Sequence, residues 1–150
     1  MAELSREISE MLDELAEQGN EFLEYEQTDE ALEAWTKGLN LIPSPQNAYS
    51  EAVWFLVSIS DIYFENYDFQ TALKYLEDAM GNLSGEGITN PYALLRAGQC
   101  YLEVGDEKNA IEYLLKAFMF EGEEFFDDED PKYFDFLQSN VDLNHLDQQE

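Results

Sequence analysis

The stretch Leu94–Phe120, LLRAGQCYLEVGDEKNAIEYLLKAFMF, decides the fold. Leu94, Ala97, Gly98 and Tyr101 recur at offsets 0, 3, 4 and 7, the spacing that places side chains on one face of a helix. Gly105-Asp106 then breaks the pattern as a turn followed by a helix N-cap does. A second helical pattern runs through Ala110, Ile111, Leu114, Ala117 and Phe118. Two amphipathic helices joined by a tight turn make a hairpin. The small side chains of Gly98, Ala110 and Ala117 let the two helix axes approach closely.

The same spacing recurs upstream. Phe22 to Ala31, Tyr63 to Ala72 and Tyr101 to Ala110 are each 9 residues apart. Four residues beyond each Ala stand Trp35, Leu76 and Leu114; seven beyond stand Gly38, Ala79 and Ala117; twelve beyond stand Pro43, Ser84 and Gly122. Gly19 and Ser60 hold the small-residue site that Gly98 fills. This pattern resembles the tetratricopeptide repeat (TPR) family, whose signature sets a bulky residue, Leu-Gly and Tyr at fixed spacing, then Ala, an aromatic and Pro. Leu94, Ala97-Gly98, Tyr101, Ala110 and Leu114 match it with modest departures, and Gly122 stands where Pro is usual. The resemblance implies a single all-α domain. Three TPR-like hairpins, at about 8–43, 48–84 and 91–122, would stack as a short right-handed superhelix, with a capping segment at 123–150. Intervals of 41 residues (Ala31 to Ala72) and 38 residues (Ala72 to Ala110) exceed the family period of about 34. The excess falls in connections and longer helices.

In chain order, Leu4, Ile8, Met11, Leu12, Leu15, Phe22 and Leu23 predict a helix over 4–25. Thr28 or Asp29 is expected to cap the next helix, which runs to about Leu41 and is ended by Pro43 and Pro45. The third, about Ala48 to Asn66, contains AVWFLVSISDIYF; a helix apolar nearly all round is buried on several sides and should be central. Asp68 caps a fourth helix ending near Leu83, and Gly85, Gly87, Asn90 and Pro91 mark a loop. Asp130-Pro131 reads as an N-cap with Pro at the first helical position. A helix over 131–139, with Tyr133, Phe134 and Leu137 as its apolar face, should cover the last repeat. Residues 141–150 are expected to form a short fraying helix with His145 at the surface.

The chain has 150 residues, 45% of them hydrophobic and 14% aromatic, enough to bury a core. Its 34 acidic residues face only 7 basic ones, for a formal net charge of −27. Phosphates would be repelled, so nucleic acids and anionic membranes are excluded as partners and a basic protein is favoured. Self-repulsion at this charge opposes folding, which points to a functional reason for keeping it. The single cysteine, Cys100, allows no internal disulfide and fits a reducing compartment. No apolar run is long enough to span a membrane, and MAELSREISEML lacks the features of a signal peptide, so a cytoplasmic location is expected.

No catalytic constellation is visible. One histidine and one thiol cannot supply a nucleophilic triad or a zinc site, and no glycine loop suited to phosphate is present. Asp127-Asp128-Glu129-Asp130 lacks the alternating ligands and central Gly of a calcium loop and reads as a solvated acidic loop. No enzyme activity, cofactor or metal is expected.

The TPR resemblance implies that the first helix of each hairpin lines a concave groove. The implied groove positions are Asp13, Ala16, Asn20, Leu23 and Glu24; Trp54, Val57, Asp61, Phe64 and Glu65; and Tyr92, Leu95, Gln99, Leu102 and Glu103. None is Lys or Arg, so an acidic and aromatic groove is expected, unlike the Lys- and Arg-lined grooves of TPR co-chaperones that hold a carboxylate. Trp54, Phe64 and Tyr92 could stack on a partner's Arg or Lys; alternatively, Trp54 and Phe64 pack inside the core. Glu123, Glu124, Asp127, Asp128, Glu129 and Asp130 form a second candidate surface. The expected function is a non-enzymatic protein-binding module, foremost an immunity protein that neutralises a basic toxin directed at nucleic acid. The segment EGEEFFDDEDPKYFDFL is similar to the tails of small acidic bacterial TPR immunity proteins of polymorphic toxin systems. The alternative is an acidic TPR chaperone for a secreted substrate.

Overall fold

Side-chain caps set most of the helix starts. The computed structural model describes residues 3–83 and 85–144. Its helices are α1 (Arg6–Glu24), α2 (Thr28–Leu41), α3 (Glu51–Glu65), α4 (Phe69–Met80), the single-turn α5 (Glu86–Thr89), α6 (Pro91–Glu103), α7 (Glu107–Glu121) and α8 (Pro131–Asn140). Short 3-10 turns lie at Gln46–Ala48 and Glu123–Phe126, and no strand occurs among the described residues. The carboxylates of Asp68, Asp106 and Asp130 accept from the backbone N–H groups of Thr71, Asn109 and Lys132 at 3.2, 3.2 and 3.0 Å, as their positions predict. Ser5 and Asn90 cap α1 and α6 in the same way. Neither Thr28 nor Asp29 caps α2. Gln27 holds the place of Asp68 and Asp106 there, and its side chain makes no cap bond.

The turn inside each hairpin is built identically. Glu26, Tyr67 and Gly105 stand four residues after Phe22, Tyr63 and Tyr101, and all three have positive φ, at 58°, 62° and 88°. The next residues, Gln27, Asp68 and Asp106, donate their N–H groups to the carbonyls of Phe22, Tyr63 and Tyr101 at 2.8, 2.9 and 2.8 Å. Glu26, Tyr67 and Gly105 themselves bond to Leu23, Phe64 and Leu102. This is a Schellman closure, in which a left-handed residue satisfies the last carbonyls of the helix.

The three turns fold α1 onto α2, α3 onto α4, and α6 onto α7, while α2 packs on α3 and α4 on α6. Close approach needs small residues where the sequence puts them. A Cβ on Gly98 would lie 2.7 Å from Leu114 Cγ and 2.9 Å from its backbone nitrogen; one on Gly19 would meet the Trp35 ring at 2.1 Å. Ser60 fills the middle site, fully buried, and satisfies its hydroxyl by donating to the Val57 carbonyl at 2.6 Å. α3 is central as expected, with Phe55, Leu56, Ile59 and Ile62 in the core.

Several boundaries differ from the sequence expectation. The third helix begins at Glu51 because Tyr49 is extended and Gln46–Ala48 forms its own turn. The fourth ends at Met80, and the loop after it contains α5. The acidic stretch at 123 is no freely solvated loop: Phe126 is buried in it, in one cluster with Leu114, Phe118 and the Leu137 of α8. Ser84 and residues 145–150, with His145, lie outside the described residues.

Candidate functional site

The inner faces of α1, α3 and α6 line a run of three cavities of about 310, 500 and 280 Å³. The first lies between α1 and α3, with Asn20, Leu23, Asp61 and Glu65 on its walls. The second lies between α3 and α6, lined by Trp54, Val57, Tyr92 and Leu95 and closed by Glu124, Phe125 and Asp128. The third lies at the far end, where Phe64 and Glu103 meet Glu129, Asp130 and Tyr133. The segment 123–133 therefore folds back as an arm against the groove. The sequence reading treated groove and acidic loop as separate surfaces; the tertiary structure joins them.

At the junction sits Arg96. Its Nε donates to Asp61 Oδ1 at 2.9 Å, and its Nη1 donates to Gln99 Oε1 at 2.7 Å and Glu129 Oε1 at 2.9 Å. Gln99 Nε2 donates to the same Glu129 oxygen at 2.7 Å. The guanidinium carbon lies 4.2 Å from the centre of the Phe64 ring, a cation–π geometry. The expectation that no Lys or Arg faces the groove is thus corrected. Residues 92, 96, 99 and 103 share one helical face, so the same spacing that selected Tyr92, Gln99 and Glu103 should have selected Arg96. Its register equivalents are Glu17 and Ser58, at the one inward position the reading passed over.

This network changes what the expected site residues can do. Asp61 and Glu129 are committed to Arg96, and Gln99 is wholly buried, so it is not open to a partner. Glu103 accepts from the Tyr133 hydroxyl at 3.0 Å and pairs with Lys132. Asp130 caps α8. Phe64 is half-buried between Phe69, Tyr133 and Arg96. Trp54 and Tyr92 remain open, 41% and 65% exposed, each held by edge-on contact: Trp54 against Trp35 and Phe55, Tyr92 against Phe125 at 5.0 Å. Asp13, Asn20, Glu24, Glu65, Glu123, Glu124, Asp127 and Asp128 are exposed. The sequence reading missed Phe125, which no helical period could connect to Tyr92.

The electrostatics follow the burial. Asp61's carboxyl is pushed above its ordinary value by burial, with Arg96 pulling the other way and Glu65 and Glu129 adding to the rise. Burial alone would lower Arg96, but Asp61 and Glu129 outweigh it and hold the guanidinium above its usual value. Burial, then the bond to Glu103, pushes the Tyr133 phenol up. Burial pushes the Cys100 thiol up to about 12, so it is an inert core group. Among the described residues, no group of three or more His, Cys, Asp or Glu side chains is placed to hold a metal, and no helix is long and apolar enough to cross a membrane.

Residues 91–121, the α6–α7 hairpin, match the tetratricopeptide repeat family model. Among solved structures, the chain is similar to the N-terminal domain of stress-induced protein-1 (STI-1) from C. elegans, with a TM-score of 0.66 and 15% sequence identity over 90% of this chain and 98% of that one. No curated protein sequence matches. At this identity the likeness establishes the fold alone, an all-helical TPR-type scaffold.

Proposed function

We propose that this chain, a TPR-type scaffold whose third hairpin carries the family's own sequence pattern, binds and neutralises a basic protein, and that it is the immunity protein of a toxin directed at nucleic acid. The observation that carries this reading is a mismatch of charge. The chain has 34 acidic and 7 basic residues, and the two cations on the groove side, Arg96 and Lys132, are already engaged by Asp61, Glu129 and Glu103. What remains open is Glu65 at one cavity and Glu124 and Asp128 beside the outward rings of Trp54 and Tyr92 at another, with no unpaired Lys or Arg lining either among the described residues. A surface that handles phosphate is basic, and an acidic protein associates with it fast and covers it with carboxylates where phosphates would lie. The single cysteine, free and buried, fits a reducing compartment.

A second reading, a chaperone for a secreted substrate, is supported by a different observation. Met11, Leu23, Trp54 and Tyr92 expose apolar surface along the inner helices, and an extended segment with apolar anchors would use them. One experiment separates the two. The chain is co-expressed with the nuclease-type product of a neighbouring gene, and toxicity, complex formation and salt dependence are measured. Rescue by a salt-sensitive complex with the folded domain supports the immunity role. Binding only to the unfolded substrate supports the chaperone. The absence of both binding and rescue discards the basic-partner reading.

A further inference from the structure

The middle cavity has one wall from the scaffold, with Trp54 and Tyr92, and another from the arm, with Glu124, Phe125 and Asp128. We infer that this cavity receives a single arginine side chain of the basic partner, its guanidinium stacked on Tyr92 and Trp54 and paired with Glu124 and Asp128. This inference rests on the basic-partner reading and names the side chain that reading requires.

Three observations carry it. The first is an internal precedent on the inner wall of the same cavity, which Asp61, Arg96 and Glu129 also line. There Arg96 lies over the Phe64 ring at 4.2 Å with carboxylates at 2.9 Å on two sides, one from α3 and one from the arm. The open side of the cavity repeats these parts, aromatic faces on the scaffold and carboxylates on the arm, and Arg96, the basic residue among the described residues that line it, is already engaged by Asp61, Gln99 and Glu129.

The second is that the rings are fixed in place. Trp54 meets Trp35 and Phe55 edge-on at 5.4 and 5.1 Å, and Tyr92 meets Phe125 at 5.0 Å. Large aromatic surface held outward in one orientation loses little freedom on binding. The third is selectivity. Glu124 and Asp128 make no ion pair among the described residues and line a half-apolar cleft of about 500 Å³. A planar, weakly hydrated guanidinium stacks and forks in such a cleft, whereas a compact ammonium stays better hydrated outside.

The test uses the intact chain and the tripeptide acetyl-Gly-Arg-Gly-amide, with its lysine and citrulline counterparts. Trp35 is 2% exposed and Trp54 41%, so quenchable tryptophan emission reports Trp54. The arginine peptide is expected to give a saturable change, the lysine peptide a weaker one and the citrulline peptide none. Tyr92→Ala, and separately Glu124→Gln with Asp128→Asn, should weaken the arginine peptide about five- to tenfold, while the equal charge change Glu7→Gln with Glu107→Gln should not. Equal responses to arginine and lysine, or equal losses from both charge pairs, would overturn the pocket. A basic protein that binds in a salt-sensitive way yet ignores Tyr92→Ala also overturns it, and leaves the proposed function standing. A peptide that binds as expected while no basic protein does leaves the pocket and discards the function.

Discussion

Replacing Arg96 by Met should cost stability chiefly because of the charges left behind. Methionine keeps much of the stem's volume, so the apolar loss is small, though the guanidinium 4.2 Å from the Phe64 ring centre is lost. What goes is the guanidinium that three groups share: Asp61 at 2.9 Å, Glu129 at 2.9 Å and Gln99 at 2.7 Å. Removing one partner of a fully buried ion pair costs about 3–5 kcal/mol. The Glu129 side chain is 21% exposed and Asp61's 47%, so water screens part of the remaining repulsion, and the expected cost is about 2–3 kcal/mol. For a chain of this size that corresponds to a melting temperature lower by roughly 5–10 °C. Urea unfolding followed by circular dichroism reads the free energy, and hydrogen exchange should show the amides of 123–133 losing more protection than those of α1 and α2.

The pH dependence has a definite sign. Asp61's folded carboxyl already sits above 3.8, its unperturbed value, so its neutral form favours the fold at low pH and that benefit is lost as pH rises through the folded value. Without Arg96 the rise is larger, and the deficit of Arg96→Met should grow from about pH 4 to pH 7. A deficit independent of pH, or a variant as stable as the parent, would refute the account of Arg96 as the counter-charge of the arm.

Gly98→Ala should destabilise by about 2 kcal/mol in urea, because the new methyl meets Leu114 at 2.7 Å and its backbone nitrogen at 2.9 Å, which outweighs the better helix propensity of alanine. Tyr67→Gly should instead stabilise, by about 0.5–1 kcal/mol, since a tyrosine at φ 62° carries left-handed strain that Gly105 avoids in the equivalent turn; thermal unfolding checks it. Cys100 should react with Ellman's reagent at pH 8 only after unfolding. With its folded value raised from 9.0 to about 12, its contribution to stability is intact below pH 9 and is lost as pH climbs through about 12.

The overlap of groove and arm has a consequence for charge. Only a few of the 34 carboxylates are tied down by the five ion pairs among the described residues. Two of these pairs, Arg6–Glu10 and Lys116–Glu112, are exposed neighbours along one helix and contribute little. The pairs that shape the molecule are those of Arg96 and Lys132, which pull the most acidic stretch of the chain onto the scaffold. Opposite charge is therefore spent on geometry, and the rest of the negative surface stays available.

Everything periodic was decided by the sequence alone. The helix faces of α1, α3 and α6, the recurring small residue at Gly19, Ser60 and Gly98, and the caps at Asp68 and Asp106 depend on neighbours within a turn or two, or on a register repeated three times along the chain. Only the tertiary structure decided the chemistry of the groove. Arg96 finds Asp61 35 residues away and Glu129 33 away, and Tyr92 finds Phe125, across connections whose path no local spacing encodes. A helix period fixes the direction in which a side chain leaves its own helix; what it meets there depends on how the returning arm packs, and that packing is set by Phe126 and Leu137 in the core.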